Sequence, residues 1–303
     1  MSIPSRHIGI WQMSIAMALS GTIGWLVTLT GLPPLVVVWF RCLLGGGVLG
    51  LLLMLQGRLW APVLSLRQGM WLVIGGVALL GNWLALFSAY HYSPISLVTV
   101  VYHTQPFFLL GLAALWQGES ISPKRLPWLL LAFCGVGLIA GPSLAGGQVP
   151  LGIGLALLAA VLYAVATFAT RQLLGVSPIR IATFQLGLGA VLLFPLVNLV
   201  GATTQHVQWS AVGTLGLIHT GLMYVLLYSA FQRLAAIQIA TLSFLYPLVA
   251  LLVDLFVFHI HVGSNELVGG SLILLAILAN QRNQPNAPVV KPMSYAKEVE
   301  RTG

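Results

Sequence analysis

The sequence predicts an all-α polytopic membrane protein in which ten transmembrane helices form two inverted five-helix repeats. Three observations lead to this fold class: few charged residues, a regular series of apolar segments and an internal repeat. Of the 303 residues, 58% are hydrophobic and 6% are charged, and the mean hydropathy is +0.98. Soluble domains carry about 25% charged residues, because their surfaces must be hydrated. The composition therefore indicates a membrane-embedded chain.

Apolar segments recur along the chain, each near the ~20 residues that a helix needs to cross a bilayer. These runs are continuous rather than alternating, which argues against a transmembrane barrel. Short connections rich in Gly, Pro, Ser or charged residues separate them. We predict spans at residues 8–30, 33–55, 69–91, 94–117, 126–142, 151–172, 177–200, 209–231, 236–258 and 264–281.

The basic residues predict the orientation of these spans. The net charge is +8, but Lys and Arg occur singly or in pairs between apolar runs, so a nucleic-acid partner is not expected. Twelve of the 13 basic residues fall at the termini or in alternate connections. Because cytoplasmic loops retain Lys and Arg, we predict a multi-pass protein of the cell (inner) membrane with cytoplasmic N- and C-termini.

An internal repeat relates the two halves of the chain. Ser88–Tyr90 matches Ser229–Phe231 at a spacing of 141 residues, and the same spacing takes Pro106 to Pro247. Since each copy holds an odd number of spans, the second copy must enter the membrane from the opposite side. Inverted halves of this kind are characteristic of secondary transporters.

The predicted organisation is a first repeat at residues 1–145, a second, inverted repeat at 146–281 and a disordered cytoplasmic tail at 282–303. Cys42 and Cys134 both lie in apolar segments, so neither a metal site nor a structural disulfide is expected. No cofactor is expected either.

Short motifs give the chain a family resemblance. They are Arg41 in the second span, Thr104-Gln105-Pro106 and Tyr246-Pro247 at the centres of the fourth and ninth spans, and Gly118-Glu119 before the fifth. With these motifs the chain resembles the drug/metabolite transporter superfamily, specifically its EamA-type members, over residues 8–281. The resemblance implies a ten-helix carrier that moves small organic solutes, usually outward.

The second half departs from this pattern, because His259-Ile260-His261 stands where a second Gly-Glu is expected. A symmetric role for Glu119 is therefore not predicted. We interpret Glu119 as a group that anchors a loop beside Lys124 and Arg125.

Two charged residues inside spans are candidates for coupling or gating. Arg41 is the only cation clearly within a predicted span. It retains its charge and must meet a carboxylate, carbonyl groups, water or an anionic substrate, so it is either a structural anchor or part of the substrate site. Asp254 could pair with Arg41 or bind a proton that drives transport.

Pro106 and Pro247 occupy equivalent mid-span positions and are also predicted to gate, because each removes a helical hydrogen bond. Neighbouring helices could instead satisfy these kinks. Polar and aromatic residues near the two prolines and on other spans are the candidate substrate-binding group, although several could belong to interfacial aromatic belts. This group is Arg41, Asn82, Trp83, Tyr102, His103, Gln105, Tyr163, Gln185, Tyr224, Ser243 and Tyr246.

These features predict a secondary transporter of small organic metabolites that works by alternating access, exporting amino acids or amphipathic metabolites or drugs. The alternatives are an uptake carrier for a nutrient or vitamin, and a channel or non-transporting membrane protein. The sequence has no phosphate-binding Gly-x-x-x-x-Gly-Lys loop and no intramembrane catalytic motif, so an enzyme is not expected. The expected partners are the lipid bilayer and a small-molecule substrate; proton coupling, and a monomer or a homodimer, stay open.

Overall fold

The computed structural model describes residues 3–58, 64–93, 95–119, 122–140, 149–198, 207–257, 259 and 263–282. Within these ranges the chain is helical and contains no β-strand. The α-helices are α1 (Ile3–Thr30), α2 (Pro34–Leu55), α3 (Leu66–Tyr92), α4 (Ile95–Tyr102), α5 (Gln105–Gln117), α6 (Leu126–Ala140), α7 (Val149–Gln172), α8 (Pro178–Leu193), α9 (Trp209–Gly216), α10 (Met223–Arg233), α11 (Ala236–Ser243), α12 (Leu245–Phe256) and α13 (Ser264–Arg282).

Eight helical segments in the described part of the chain are long and apolar enough to cross a membrane, and α6 and α13 are apolar but shorter. The prediction of a polytopic, all-helical membrane protein is confirmed. Helix starts follow local chemistry: Pro34 and Pro178 occupy the first positions of α2 and α8, where a missing N–H group costs nothing. Ser65 and Gln68 form a capping box at the start of α3.

The fourth and ninth predicted spans are each broken into two helices. α4 ends at Tyr102 and α5 begins at Gln105, directly before Pro106. In the second half, α11 ends at Ser243 and α12 begins two residues before Pro247. A proline ring clashes with the carbonyl group four residues earlier, so an unbroken helix is disfavoured at both positions.

Contacts between connections define two ends of the bundle. The N–H group of Gln208 donates to the carbonyl oxygen of Thr30 at 3.4 Å, so the start of α9 lies beside the end of α1. At the other end, the Gln232 amide donates to the carbonyl oxygens of Leu173 and Val176, both at 3.0 Å. We call the latter the basic end. It carries the α2–α3, α5–α6, α7–α8 and α10–α11 connections, which are the connections where the sequence places basic residues.

Glycines allow α6 and α13 to pack in backbone contact. A Cβ atom added to Gly135 would lie 2.6 Å from the carbonyl oxygen of Gly269, and one added to Gly269 would lie 2.5 Å from that of Gly135. Only glycine fits at such distances, since the obstructing atoms belong to the backbone.

The sequence suggests that the basic residues of this end lie in loops, but two of them lie in helices. Arg171 lies in the last turn of α7 and Arg180 in the first turn of α8, and they are 0% and 5% exposed. Arg41 is therefore not the only cation within a helix. Glu119 pairs with Arg171, because packing brings the end of α7 against this loop.

Two predictions fall on parts of the chain that the structure does not describe. The predicted disordered tail lies outside the described residues beyond Arg282. The backbone of Asp254 belongs to α12, which packs against α1 and α13, but its side chain lies outside the description. A pair between Asp254 and Arg41 stays a prediction.

Candidate functional site

Arg41 projects from α2 into the interior of the bundle, where only 2% of it is exposed. Its Nε atom donates to the hydroxyl of Thr220 at 2.9 Å, and Nη2 lies 3.5 Å from the carbonyl oxygen of His219. Its Cζ atom lies 4.7 Å from the ring centre of Trp83. These partners are neutral, and a buried guanidinium gains most from an anion, so this group can accept a carboxylate from a ligand.

A π-helix at Leu217–Leu222 joins α9 to α10 and supplies the Thr220 hydroxyl. This hydroxyl donates to the carbonyl oxygen of Leu215, five residues earlier, at 2.8 Å. The residue before Thr220, His219, has its Nε2 atom 2.8 Å from the hydroxyl of Thr22 on α1. Neither residue belongs to the predicted site, although a His-Thr pair in an apolar span is a usable signal. A π-helix often marks a functional site.

A chain of aromatic contacts continues from Arg41 across the bundle. Trp83 packs edge-on against Tyr224 at 5.6 Å, and Tyr224 packs against Tyr228 at 5.5 Å. The hydroxyl of Tyr228 donates to the side-chain oxygen of Gln185. We call Arg41, Trp83, Tyr224, Tyr228 and Gln185 the arginine cluster. It brings together four predicted site residues from α2, α3, α8 and α10.

A second group surrounds the break between α4 and α5. The Asn82 amide donates to the hydroxyl of Tyr102 at 3.2 Å and to the carbonyl oxygen of Ala159 at 2.8 Å. The Oδ1 atom of Asn82 is buried and has no hydrogen-bond donor among the described residues. Tyr102 also packs edge-on against Tyr163 at 6.0 Å. An unused buried acceptor is costly, so a donor group of a ligand would be favoured here.

His103 sits in the break itself. Its Nδ1 atom lies 2.7 Å from the carbonyl oxygen of Thr99, and its ring stacks on Tyr246 with 5.4 Å between ring centres. This geometry fits an imidazole that donates to a carbonyl group. Tyr246 belongs to α12, so the two broken helices meet through this stack. We call Asn82, Tyr102, His103, Tyr163 and Tyr246 the tyrosine cluster.

The two clusters share α3, where Asn82 and Trp83 are consecutive. Two other predicted residues have no hydrogen bond or ring contact with a cluster within the described residues. Ser243 donates within its own helix to the carbonyl oxygen of Ala240 at 2.8 Å, and Gln105 is buried at the start of α5. In the described part of the chain no three His, Cys, Asp or Glu side chains lie close enough to hold a metal ion.

Known proteins resemble this chain in sequence and in fold. The uncharacterized transporters YxxF and YvbV of Bacillus subtilis are 28% and 27% identical to it, over 84% and 83% of this chain and 83% and 84% of their own lengths. A solved crystal structure at 21% identity shares the fold, with a TM-score of 0.78 over 92% of this chain and 98% of its own.

A model of one family matches the chain twice. This model describes the EamA-like transporter family, and it matches residues 7–141 and 150–280. Together the two matches cover most of the chain, and they fall on the two halves that carry the internal repeat. The protein is therefore a multi-pass membrane transporter that belongs to the EamA-like transporter family.

Proposed function

We propose that this protein is a secondary carrier that exports amino acids or similar amphipathic metabolites by alternating access. In this proposal ten helices cross the membrane, with α6 and α13 as the two shorter spans. Two inverted repeats surround one substrate site, which is formed by the arginine and tyrosine clusters. The single observation that carries the proposal is Arg41, a buried guanidinium with neutral partners in the centre of a transporter.

The packing of the helices supports two related halves. The contact of α3 with α7 corresponds to the contact of α9 and α10 with α1. In the same way, the contact of α5 with α7 corresponds to the contact of α12 with α1. α2 packs against α8, its counterpart in the other half, and α6 packs against α13 in the same way. Each contact has a partner when the halves are exchanged, as a pseudo-two-fold axis requires.

Burial of the site supports a carrier rather than a channel. Asn82, Gln185 and Tyr224 are 0%, 1% and 4% exposed. A solute can reach these side chains only after the surrounding helices rearrange, and such a step is required in each transport cycle of a carrier. The breaks at Pro106 and Pro247 give the two central helices separately movable halves.

The chemistry of the site supports a zwitterionic or amphipathic substrate. A carboxylate would form charge-assisted hydrogen bonds with Arg41. A substrate N–H group would satisfy the unused Oδ1 atom of Asn82. The rings of Trp83, Tyr102 and Tyr224 offer apolar surface with polar edges. The export direction follows the family resemblance alone.

Counterflow tests this proposal. Purified full-length protein is reconstituted into liposomes that are loaded with one amino acid at a time, and uptake of the labelled compound is measured. We expect saturable counterflow for at least one amphipathic amino acid. Replacing Arg41 by Gln removes the charge-assisted contact, which is worth about 1.5–3 kcal/mol, so uptake at low substrate concentration should fall about tenfold or more.

Matched variants separate the outcomes. Arg41→Lys keeps the charge and should retain part of the activity, whereas Arg67→Gln removes an exposed arginine from α3 and should leave transport unchanged. Flux that rises linearly with substrate concentration would mean that the protein is a channel. Full activity of Arg41→Gln would remove Arg41 from the site. Accumulation of substrate in cells that express the protein would assign uptake instead of export.

A further inference from the structure

A cavity at the basic end lies apart from both clusters of the proposed substrate site. Its volume is about 420 Å³, within the range of about 300–1,000 Å³ that is usual for small-ligand sites. It is bounded by the end of α2, the start of α3, the α7–α8 connection and the first turn of α8. Its polar lining residues are Gln56, Arg58, Gln68, Ser177 and Arg180.

Arg180 is an unusual residue to find in the wall of this cavity. It is 5% exposed, and its Nε atom is buried without a hydrogen-bond partner among the described residues. The contact that the structure gives its guanidinium is the ring of Phe184, whose centre lies 5.8 Å from Cζ. Buried charge without a hydrogen-bonded counter-charge is strongly unfavourable. Among the described residues, Arg180 therefore has no anionic partner.

Among the described residues, no carboxylate is placed to supply such an anion. The one ion pair within the described residues joins Glu119 to Arg171, and the lining of the cavity contains no Asp or Glu. Residues 59–63, Leu-Trp-Ala-Pro-Val, carry no acidic group either. In the part of the chain that the structure describes, the cavity thus combines two arginines, at positions 58 and 180, with no opposing charge.

The hydroxyl of Ser177 and the start of α8 also lie at this cavity, and both suit an oxyanion. Ser177 is the N-cap residue of α8, yet its hydroxyl makes no capping hydrogen bond. Pro178 follows it, and the positive end of the helix dipole of this 16-residue helix points toward the same region. The N–H groups of Arg180 and Ile181 already donate to the carbonyl oxygen of Ser177, so side chains must supply most of the donors. Arginine matches the geometry of phosphate oxygens.

We propose that this cavity binds a phosphate group through Arg58, Arg180 and Ser177. The group could belong to free inorganic phosphate or to the headgroup of an anionic phospholipid, since the basic end meets the surface of the membrane. Arg180 holds the buried face of the phosphate group, and Arg58 closes the site from the exposed side. This site is independent of the proposed substrate, so its test does not depend on transport.

The test measures phosphate binding to purified full-length protein in a neutral detergent. Titration with inorganic phosphate, against sodium chloride at equal ionic strength, is one arm. Native mass spectrometry with phosphatidylglycerol, against phosphatidylcholine, is the other. We expect specific binding in at least one arm, and we expect Arg180→Gln and Arg58→Gln each to weaken it about tenfold or more. Arg67→Gln, outside the cavity, is the control.

The two arms identify the source of the phosphate group, and each result decides the proposal. Removal of an unpaired buried charge should not destabilise the fold, so Arg180→Gln is expected to be stable; the exposed Arg58→Gln provides a second variant if it is not. Binding that survives both substitutions overturns the proposal, as does wild-type protein that binds neither ligand. Binding that appears only in a Glu298→Gln/Glu300→Gln variant would also overturn it, in favour of the chain's own tail.

Discussion

Glu119 shows how a single side chain joins separate parts of the basic end. Its Oε1 atom pairs with Arg171 at the end of α7, and its Oε2 atom accepts the N–H group of Ala236 at the start of α11, at 3.1 Å. Arg171 also donates to the side-chain oxygen of Gln117 at 2.7 Å. One carboxylate therefore compensates a fully buried cation and satisfies a helix N-terminus.

Loss of this carboxylate should destabilise the protein. Glu119→Gln leaves the buried charge of Arg171 uncompensated, which costs about 3–5 kcal/mol for a fully buried pair. Because the Glu119 side chain is 19% exposed, we expect a loss of about 2 kcal/mol in the free energy of unfolding. Chemical unfolding in mixed micelles measures this change.

The double variant Glu119→Gln/Arg171→Gln checks the coupling. It removes the stranded charge, so its stability should exceed the value expected if the two single effects add. Glu266→Gln, at the first turn of α13, removes a carboxylate that has no part in this ion pair and should cost less than about 1 kcal/mol. Strictly additive single effects would show that Glu119 and Arg171 act independently.

At the scale of helices, the repeat is better preserved in backbone conformation than in residue identity. Gly118 ends α5 in the left-handed region with φ of 61°. The residue 141 positions later is His259, which also has a positive φ, 51°. A histidine tolerates this region less well than glycine. His259 therefore departs from the repeat in residue type, whereas its positive φ matches that of Gly118.

The contact between α6 and α13 gives a prediction for a whole helix pair. Gly135→Ala places a Cβ atom 2.6 Å from the backbone oxygen of Gly269, so the two helices must separate. Overpacking of this kind costs about 1–3 kcal/mol, and we expect a lower melting temperature in detergent. Gly137→Ala is the control on the same helix, because no atom outside its own turn lies within 4 Å of the added Cβ. Equal melting temperatures of the two variants would contradict this packing.

For the whole molecule, composition and periodicity were sufficient to predict a helical membrane protein and most helix limits. Proline chemistry also predicted a disturbance at the centres of the fourth and ninth spans, because its cause is local, but not that each span is divided into two helices. Partners across the bundle could not be predicted in this way. Arg41 was predictable as a buried cation. Its partner Thr220 was not, because Thr220 lies in a π-helix, and the sequence pattern of a π-helix is not distinct from that of an α-helix.

The buried arginines of the basic end show the same limit. Lys and Arg in short connections usually report topology, and that interpretation needs no knowledge of the tertiary fold. Arg171 and Arg180 occupy helix ends that the bundle covers, so their roles depend on which helices pack over them. Pairing of Glu119 with Arg171, 52 residues away, follows from the tertiary fold and has no local sequence signal.

The proposed inverted topology of the two halves makes a prediction about sidedness. Ser65 and Gln208 are the exposed N-cap residues of α3 and α9, and they are equivalent in the repeat at a spacing of 143 residues. Inversion requires that equivalent positions face opposite sides of the membrane. We therefore expect Ser65→Cys to react with a membrane-impermeant maleimide only from the cytoplasm, and Gln208→Cys only from outside. Labelling of intact cells and of inverted vesicles measures this.

Wild-type protein provides the background for this labelling. Cys42 is buried and Cys134 lies within the apolar helix α6, where the charged reagent does not reach, so neither preparation should label. Reaction of both introduced cysteines from one side would mean parallel repeats. Parallel copies would be related by a two-fold axis normal to the membrane, and the contacts of α2 with α8 and of α6 with α13 would lie on that axis. Alternating access by exchange of two inverted halves would then fail.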